Sequence, residues 1–438
     1  MNSQLRPNAI GIPENTVYRQ IQDCRLCCSD KIPPVLDLGT LALTGIFPRS
    51  ESTPVATAPL VLVRCSDCGL LQLRENFDLG LLYGDSYGYR SGLNQAMVQH
   101  LDCKVRGIEN LVTLAPGDLV LDIGSNDGTL LGCYRTDGLQ RIGIDPSGPK
   151  FQKYYKPGIE LIPEFFSAHA LRRNVGSKKA KVITSIAMFY DLPRPLDFVR
   201  DIVESLDEEG VWVFEQSYLP EMLATNSYDT ICHEHLEYYT LRQIVYMAER
   251  AGLKIVDVQF NDANGGSFCV TASKLEASFP EATEVIQRTL ENECAMGLDT
   301  SAPFERLEAI MSLHRTRLRD LLSSIQAEGK KVFGYGASTK GNVLLQYCGI
   351  DRNLLPAIVE INEDKFGSFT PGTNIPIVSE AEAMAQRPDY LMVLPWHFRA
   401  GILKRETDFL SRGGTFIFPL PELELVSLAR RAASNVSR

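Results

Sequence analysis

No stretch of this 438-residue chain approaches the about 18 uninterrupted apolar residues that a membrane helix needs. The opening MNSQLRPNAIGIPENT has no apolar signal core either, so no membrane partner is expected and the reading is cytoplasmic. Positive charge is not in excess: 44 Lys and Arg stand against 54 Asp and Glu, a formal net charge of −10. Broad nucleic-acid affinity comes from clustered cations that release counterions from phosphates, so no nucleic-acid partner is expected. Internal repeats and low-complexity segments are lacking too. With 44% apolar and 22% charged residues, the chain can bury ordinary cores, and its length suggests two to four domains. Eleven Cys, an odd number, suit a reducing compartment in which thiols bind metal or pack rather than pair. A monomer or weak oligomer is expected.

The first eighty residues differ from the rest, with two Cys-x-x-Cys pairs, many Pro and no long amphipathic period. They read as a small loop-rich module over 1–80. LVLDIG, from residue 119, is a short apolar run ending in the glycine-rich SNDGTLL, and RIGIDPS supplies a second strand. Strand, turn, helix, strand opens a parallel α/β sheet. AKVITSIAMF and GVWVFEQ continue it on either side of a helical LDFVRDIVESL. In TLRQIVYMAERAGL, Thr240 with Gln243 makes a capping box, and Gly252 stops the helix. KIVDVQF and SFCVTASK flank NDANGG, which predicts a final antiparallel hairpin, the ending of a class I methyltransferase sheet. This central unit spans 81–278. Residues 280–328 are charged and helix-periodic. KVFGYGAS then restarts a strand, with LPAIVEIN, DYLMVLP and GTFIFPL as further strands of a C-terminal α/β unit over 279–438. The fold class is therefore α/β: a small N-terminal zinc-binding module, a Rossmann-like methyltransferase domain and a second Rossmann-like domain.

Cys24 and Cys27 in CRLC, with Cys65 and Cys68 in CSDC, form two knuckles suited to a tetrahedral metal held by four thiolates. Zinc, as a structural ion, is expected before iron; the alternative is four unliganded thiols. Cys28 is a neighbour, not a ligand. In VLDIGSNDGTLL the spacing is Gly-x-x-x-Gly, at Gly124 and Gly128, not the Gly-x-Gly-x-x-Gly of a dinucleotide site. Asp122, Asn126, Asp145 and, on the fourth strand, Ile186 complete the candidate set for S-adenosyl-L-methionine. Asp145 ends its strand where a carboxylate can accept ribose hydroxyls. An ordinary strand–helix turn is the alternative. Cys232-His233-Glu234-His235 gathers two of the six His of the chain in a loop ahead of the capped helix. It could serve acid–base chemistry, ligate a metal or be a solvated loop. FGYGASTKGN, with Tyr335, Lys340 and Asn342 as candidate substrate-binding residues, places a glycine turn and a cation at a helix start where a phosphate can sit, without the Gly-Lys-Ser/Thr of a Walker loop; strand–helix packing alone is the alternative.

Taken in order, the Cys knuckles, VLDIGSNDGTLL, YDTICHEHLEYYTL, NGGSFCV, GYGASTKGNVLLQYCGI and TPGTNIPI resemble the sugar C-methyltransferases that act on nucleotide-linked ketosugars. The match runs over nearly the whole chain. The resemblance implies an N-terminal zinc domain, a central S-adenosylmethionine domain and a C-terminal domain that helps hold the nucleotide sugar. It implies methyl transfer to the carbon beside a sugar ketone, making a branched deoxysugar. His235 would be the base, with Glu234 orienting it and His233 or Tyr238 able to steady the enolate. Tyr87 and Tyr89 would touch substrate. Two positions depart from the family pattern: Cys232 stands where Tyr is frequent, and Tyr190 where a His is frequent.

The chemistry asks for such residues. A carbon beside a ketone becomes nucleophilic only on losing a proton, so a base near neutrality and a donor for the enolate oxygen are needed. The sulfonium methyl needs mainly in-line positioning. An O-methyltransferase would need the base without the enolate donor. A binding protein that has lost turnover would have no use for the His-Glu-His cluster.

Overall fold

The computed structural model of the chain describes residues 17–77, 79–82 and 88–428. The N-terminal part contains strands β1 (Tyr18–Gln20), β2 (Pro34–Ala42), β3 (Thr57–Arg64), β4 (Leu71–Leu73) and β5 (Glu75–Phe77). Less than half of its described residues lie in strands, so it stays rich in loop. Ala58, Leu60, Val61, Leu62 and Val63 of β3 are all buried, so the strand is covered on both faces. The cover comes from elsewhere in the chain: Leu60 and Leu62 share a core with Leu322, Phe333 and Ile358, whereas Cys24, Cys65 and Leu70 share another with Leu241 and Ile244. The module leans on both larger domains for its apolar contacts.

The central sheet uses β6 (Leu119–Ile123), β7 (Gln140–Ile144), β8 (Ile159–Ile162), β9 (Ala180–Ile186), β10 (Leu206–Ser217), β12 (Leu253–Asn261) and β13 (Ser267–Lys274). Its order is β12-β13-β10-β9-β6-β7-β8. Five strands run parallel, and β13 lies antiparallel to both β10 and β12. This is the class I methyltransferase arrangement that the NDANGG turn announces. The capping box at Thr240 and Gln243 is present, and Gly252 ends helix Leu241–Ala251 in the left-handed conformation. β8, only four residues of IELI, carries too little pattern to be read beforehand.

Between β10 and β12 the chain detours. β11 (Glu237–Tyr238) leaves the central sheet and pairs with β4, in the order β11-β4-β3-β2. The loop carrying His233, Glu234 and His235 is thus tied at its end to the N-terminal module.

After helices Thr283–Ala295 and Ala302–Ala327, the C-terminal sheet contains β14 (Val332–Tyr335), β15 (Ile358–Glu360), β16 (Ile377–Ser379), β17 (Tyr390–Val393), β18 (Thr415–Phe418) and β19 (Glu424–Val426). Its order is β16-β15-β14-β17-β18-β19, parallel except for β19. Strand order reverses at β14, so a crevice opens at the carboxyl ends of β14 and β17. β16 and β19, of three residues each, go unread in the sequence. Among the described residues no helix is long and apolar enough to cross a membrane.

Candidate active site where three domains meet

The four knuckle thiols come together. The Sγ atoms of Cys24, Cys27, Cys65 and Cys68 all lie within 4.8 Å of one another, with Cys24 to Cys68 at 3.6 Å and Cys27 to Cys65 at 3.5 Å. A zinc tetrahedron with bonds of about 2.3 Å has edges of about 3.8 Å, so the thiols fit that ion. Cys28 is exposed and outside the group. From the same knuckle Arg25 turns inward, donating to the Leu73 and Glu75 carbonyls and to Asn76, with Glu237 of β11 at 3.7 Å.

The turn after β6 has the shape expected of a cofactor cradle. Gly124 (φ +71°) brings the backbone against Met188, where a Cβ would sit 3.2 Å from Cγ. Asn126 also adopts a left-handed conformation, as does Gly128. Asp122 is buried and accepts from Thr184 Oγ1 at 2.6 Å, and burial pushes its carboxyl up to about 7. Asp145 accepts from the Asn126 amide at 2.8 Å and from the Ser147 amide and hydroxyl at 2.7 Å each. Three of its roughly four lone-pair positions are thereby taken. Its first task is to hold the turn, and what it offers a ribose is limited to what remains. Ile186 ends β9, half-buried beside Glu215 of β10.

Tyr87 lies outside the described residues. Tyr89 is placed at the turn after β6: its carbonyl accepts from Asn126 Nδ2 at 3.0 Å, and the residue is 47% exposed. The neighbouring Ser91 and Gly92 amides donate to Asn126 and Asp127, and Asn362 of the C-terminal domain donates to the Gly88 carbonyl. Residues 88–92 form a strap over the turn.

The His-Glu-His loop is not a solvated loop. Cys232 and His233 are fully enclosed, and Glu234 is nearly so. His233 packs edge-on to Phe77, with Thr44 Oγ1 and the Ala58 carbonyl each 3.5 Å from its two nitrogens, and burial lowers it to about 4. Glu234 accepts from Thr44 Oγ1 at 3.2 Å and lies so close to Gly45 that a Cβ there would sit 2.2 Å from Oε1. Burial raises its carboxyl. His235 turns elsewhere: Nδ1 donates to the Thr230 carbonyl at 2.8 Å, and its ring lies 4.4 Å from that of Tyr190. A carbonyl can only accept, so Nδ1 carries the proton and Nε2 keeps its lone pair. Burial, aided by the Lys340 ammonium, pulls His235 down to about 3 and holds it neutral.

The structure places the expected residues as follows. The hydrogen bond that His235 makes runs to the Thr230 carbonyl, while the Glu234 carboxylate accepts from Thr44. His233 contacts Thr44, Ala58 and Phe77 of the N-terminal module, and the Tyr238 hydroxyl is buried on β11 with no hydrogen-bond partner. Tyr335 donates to Glu406 Oε1 at 2.7 Å inside the C-terminal core, and Asn342 Nδ2 donates to the Thr44 carbonyl at 2.7 Å. Of the three residues expected to hold the sugar, Lys340 alone reaches the surroundings of His235.

Other residues there were missed in the sequence. Asp229 accepts from Trp396 Nε1 at 2.8 Å, while its Oδ1 is buried without a partner. His397 Nδ1 is likewise unpaired, and burial together with Lys340 drives this imidazole well below its ordinary value. Trp396 and His397 follow β17, and side chains just past the carboxyl end of a parallel strand are where ligands gather. That signal was available in VLPWHF. Gln216, near the end of β10, also has both amide atoms buried and unpaired.

Comparison with known proteins agrees with this architecture. Three family models match in chain order: a zinc binding domain over 24–83, a methyltransferase domain over 100–258 and a C-methyltransferase C-terminal domain over 262–421. The C-methyltransferase NovU of Streptomyces niveus is 30% identical over 415 residues, covering 94% of this chain and 98% of that protein. Among solved structures, the cyclase SpnF aligns at a TM-score of 0.30 and 13% identity over 40% of this chain and 80% of its own. LepI in complex with SAM aligns at 0.32 and 18% identity over 42% of this chain and 54% of its own. The protein is an S-adenosylmethionine-dependent methyltransferase with a zinc-binding domain. More narrowly, it belongs to the C-methyltransferase family that includes NovU.

Proposed function

We propose that the protein methylates the carbon beside the ketone of a nucleotide-linked deoxysugar, in the making of a branched sugar, with His235 as the base. The observation that carries this reading is the fixed tautomer of His235, whose Nδ1 is spent on the Thr230 carbonyl and whose Nε2 is free to take a proton. The segment after β9 supports it. Met188 abuts Gly124 and Tyr190 abuts His235, so two residues of one short turn link the cofactor turn to the base. S-adenosylmethionine supplies a methyl group already activated on a sulfonium. The protein supplies position and proton transfer: Gly124, Asn126 and Gly128 shape the turn, Asp122 and Asp145 brace it, and His235 takes the proton. A neutral imidazole in a buried site holds a proton best while an anion lies beside it, which ties protonation of His235 to the lifetime of the enolate.

In this reading the units are 1–80 for zinc, 81–278 for the cofactor and 279–438 for help in holding the nucleotide sugar. The test is incubation with S-adenosylmethionine and a panel of thymidine and uridine diphosphate-linked 4-ketosugars, followed by mass spectrometry. A one-methyl gain on carbon supports the reading; a methyl on oxygen, or none across the panel, overturns it.

A further inference from the structure

An enolate needs a partner for its oxygen; His233 is held by Thr44 and the Ala58 carbonyl on the side of the N-terminal module, and Tyr238 lies on β11, which pairs with β4. The cation near His235 is Lys340. It occupies the first turn of helix Thr339–Cys348, which Ser338 caps by accepting from the Gly341 amide. A cation is unfavourable at that end of a helix, and half-burying its ammonium adds to the cost. Something must offset this. Lys340 Nζ donates to the Asn264 carbonyl at 2.8 Å, a group presented by the tip of the β12–β13 hairpin, with Asn264 at φ +54°. Across the crevice the Asp229 carboxylate acts on the ammonium and favours its charge, and burial works against it.

One hydrogen bond uses one of three ammonium donors. Asp229 and His397, which interact electrostatically with Lys340, carry Oδ1 and Nδ1 atoms that are buried with no hydrogen-bond partner. Spare donors on Lys340 and unpartnered polar atoms on Asp229 and His397, in the neighbourhood of His235, suit a ligand that brings a carbonyl and a hydroxyl together.

We infer that Lys340 is a catalytic residue that donates a hydrogen bond to the ketone oxygen as it becomes an enolate, with Asp229 and Asn264 as its positioning residues. This rests on the C-methylation reading above. His235 Nε2 takes the proton from the carbon beside the ketone, and that C–H pair becomes the C=C bond of the enolate. The carbonyl π pair moves onto oxygen, where the Lys340 ammonium meets it. The enolate carbon then takes the methyl, the S–C pair stays on sulfur, the ketone re-forms, and His235 returns its proton to water. Lys340 keeps its proton throughout.

The experiment follows solvent deuterium entering the carbon beside the ketone, with S-adenosylhomocysteine bound and the same panel of nucleotide 4-ketosugars as probes. Lys340→Met should slow exchange and turnover by about 10²–10³, the loss typical of removing one oxyanion donor. Affinity for S-adenosylhomocysteine, and for thymidine diphosphate as a competitor, should stay within about twofold. Exchange in Lys340→Met within threefold of wild type, with a raised KM, overturns the inference and returns Lys340 to sugar binding. No exchange by wild type with any probe overturns the C-methylation reading, and the inference with it, so the two failures are distinct.

Should Lys340→Met lose cofactor binding through misfolding, Lys340→Arg decides by its pH profile. The titratable groups facing Lys340 are Asp229, Cys232, His235 and His397. Loss of the ammonium proton gives wild type an alkaline limb that a guanidinium lacks. Disappearance of that limb in Lys340→Arg supports the inference, and an unchanged limb overturns it.

Discussion

The turn after β6 and the turn after β14 open the same kind of sheet and share one device. In the central domain the Asn126 amide donates to Asp145, at the end of the neighbouring strand, at 2.8 Å. In the C-terminal domain the Ala337 amide donates to Glu360, again at the end of the neighbouring strand, at 2.7 Å. An acid on the second strand braces the turn after the first in both. The turns part company in what they carry outward. The central one is strapped by residues 88–92 and keeps its polar groups within its own domain. The C-terminal one sends Lys340 to Asn264 and Asn342 to Thr44, out of its own domain in each case. Equal folds therefore do unequal work, and the side chains just past the turn, not the glycines, decide which.

The contrast breaks most completely if the N-terminal module, which carries Thr44 and holds β11, is removed. Chelating the metal, or Cys65→Ser, should unfold the N-terminal module, since a structural zinc is typically worth about 10–16 kcal/mol to a small domain. β4 would then no longer hold β11, and with it the loop bearing His235. We expect activity to vanish and metal analysis of the intact protein to return about one equivalent; a metal-free, fully folded and active preparation contradicts this. His235→Asn acts at the point where the two turns meet. It should cost about 10²–10⁴ in turnover with cofactor affinity by calorimetry nearly unchanged.

The paired acids sharpen the comparison. Asp145→Asn should weaken S-adenosylmethionine binding by about 10–100-fold, as a charged hydrogen bond is worth about 1.5–3 kcal/mol. Glu360→Gln should leave that affinity alone and raise the KM for the sugar. Equal loss of cofactor affinity in both variants would erase the proposed division.

The smallest effect is on pH. His233 is lowered to about 4 by burial, so the unfolded chain, with an imidazole near 6.5, takes up the proton first as pH falls. The folded state therefore loses stability below about pH 6.5 and keeps losing it until about pH 4. Between pH 7 and pH 5 denaturant titration should show a loss of about 2 kcal/mol from this group, absent in a folded His233→Gln. A flat profile in the wild type would mean that His233 is not enclosed as described.

Much of the fold was legible because its signals are local. The cap at Thr240, the stop at Gly252, the hairpin turn and the apolar runs of β6, β9, β10, β14 and β17 each depend on a few neighbouring residues. β8, β16 and β19 escaped, being three or four residues long and without a periodic pattern of their own. The candidate site was legible by composition and not by pairing. His235, Asp145 and Lys340 could be named as chemistry-bearing, yet Glu234 facing Thr44, and Asp229 and His397 gathering around Lys340, could not.

The sequence by itself determined the pairing of the Cys knuckles, the strongly patterned strands and turns, and which residues could serve as a base, because spacing over a few residues dictates knuckles, caps and glycine turns. Only the tertiary structure decided which of two histidines is free, since the choice depends on Thr44, Ala58 and Phe77 enclosing His233 from a distant part of the chain. The same holds for Lys340, whose surroundings come from the hairpin tip at Asn264, the loop at Asp229 and the end of β17. Burial and electrostatic shifts arise from contacts between segments 76 to more than 170 residues apart, which no local pattern encodes.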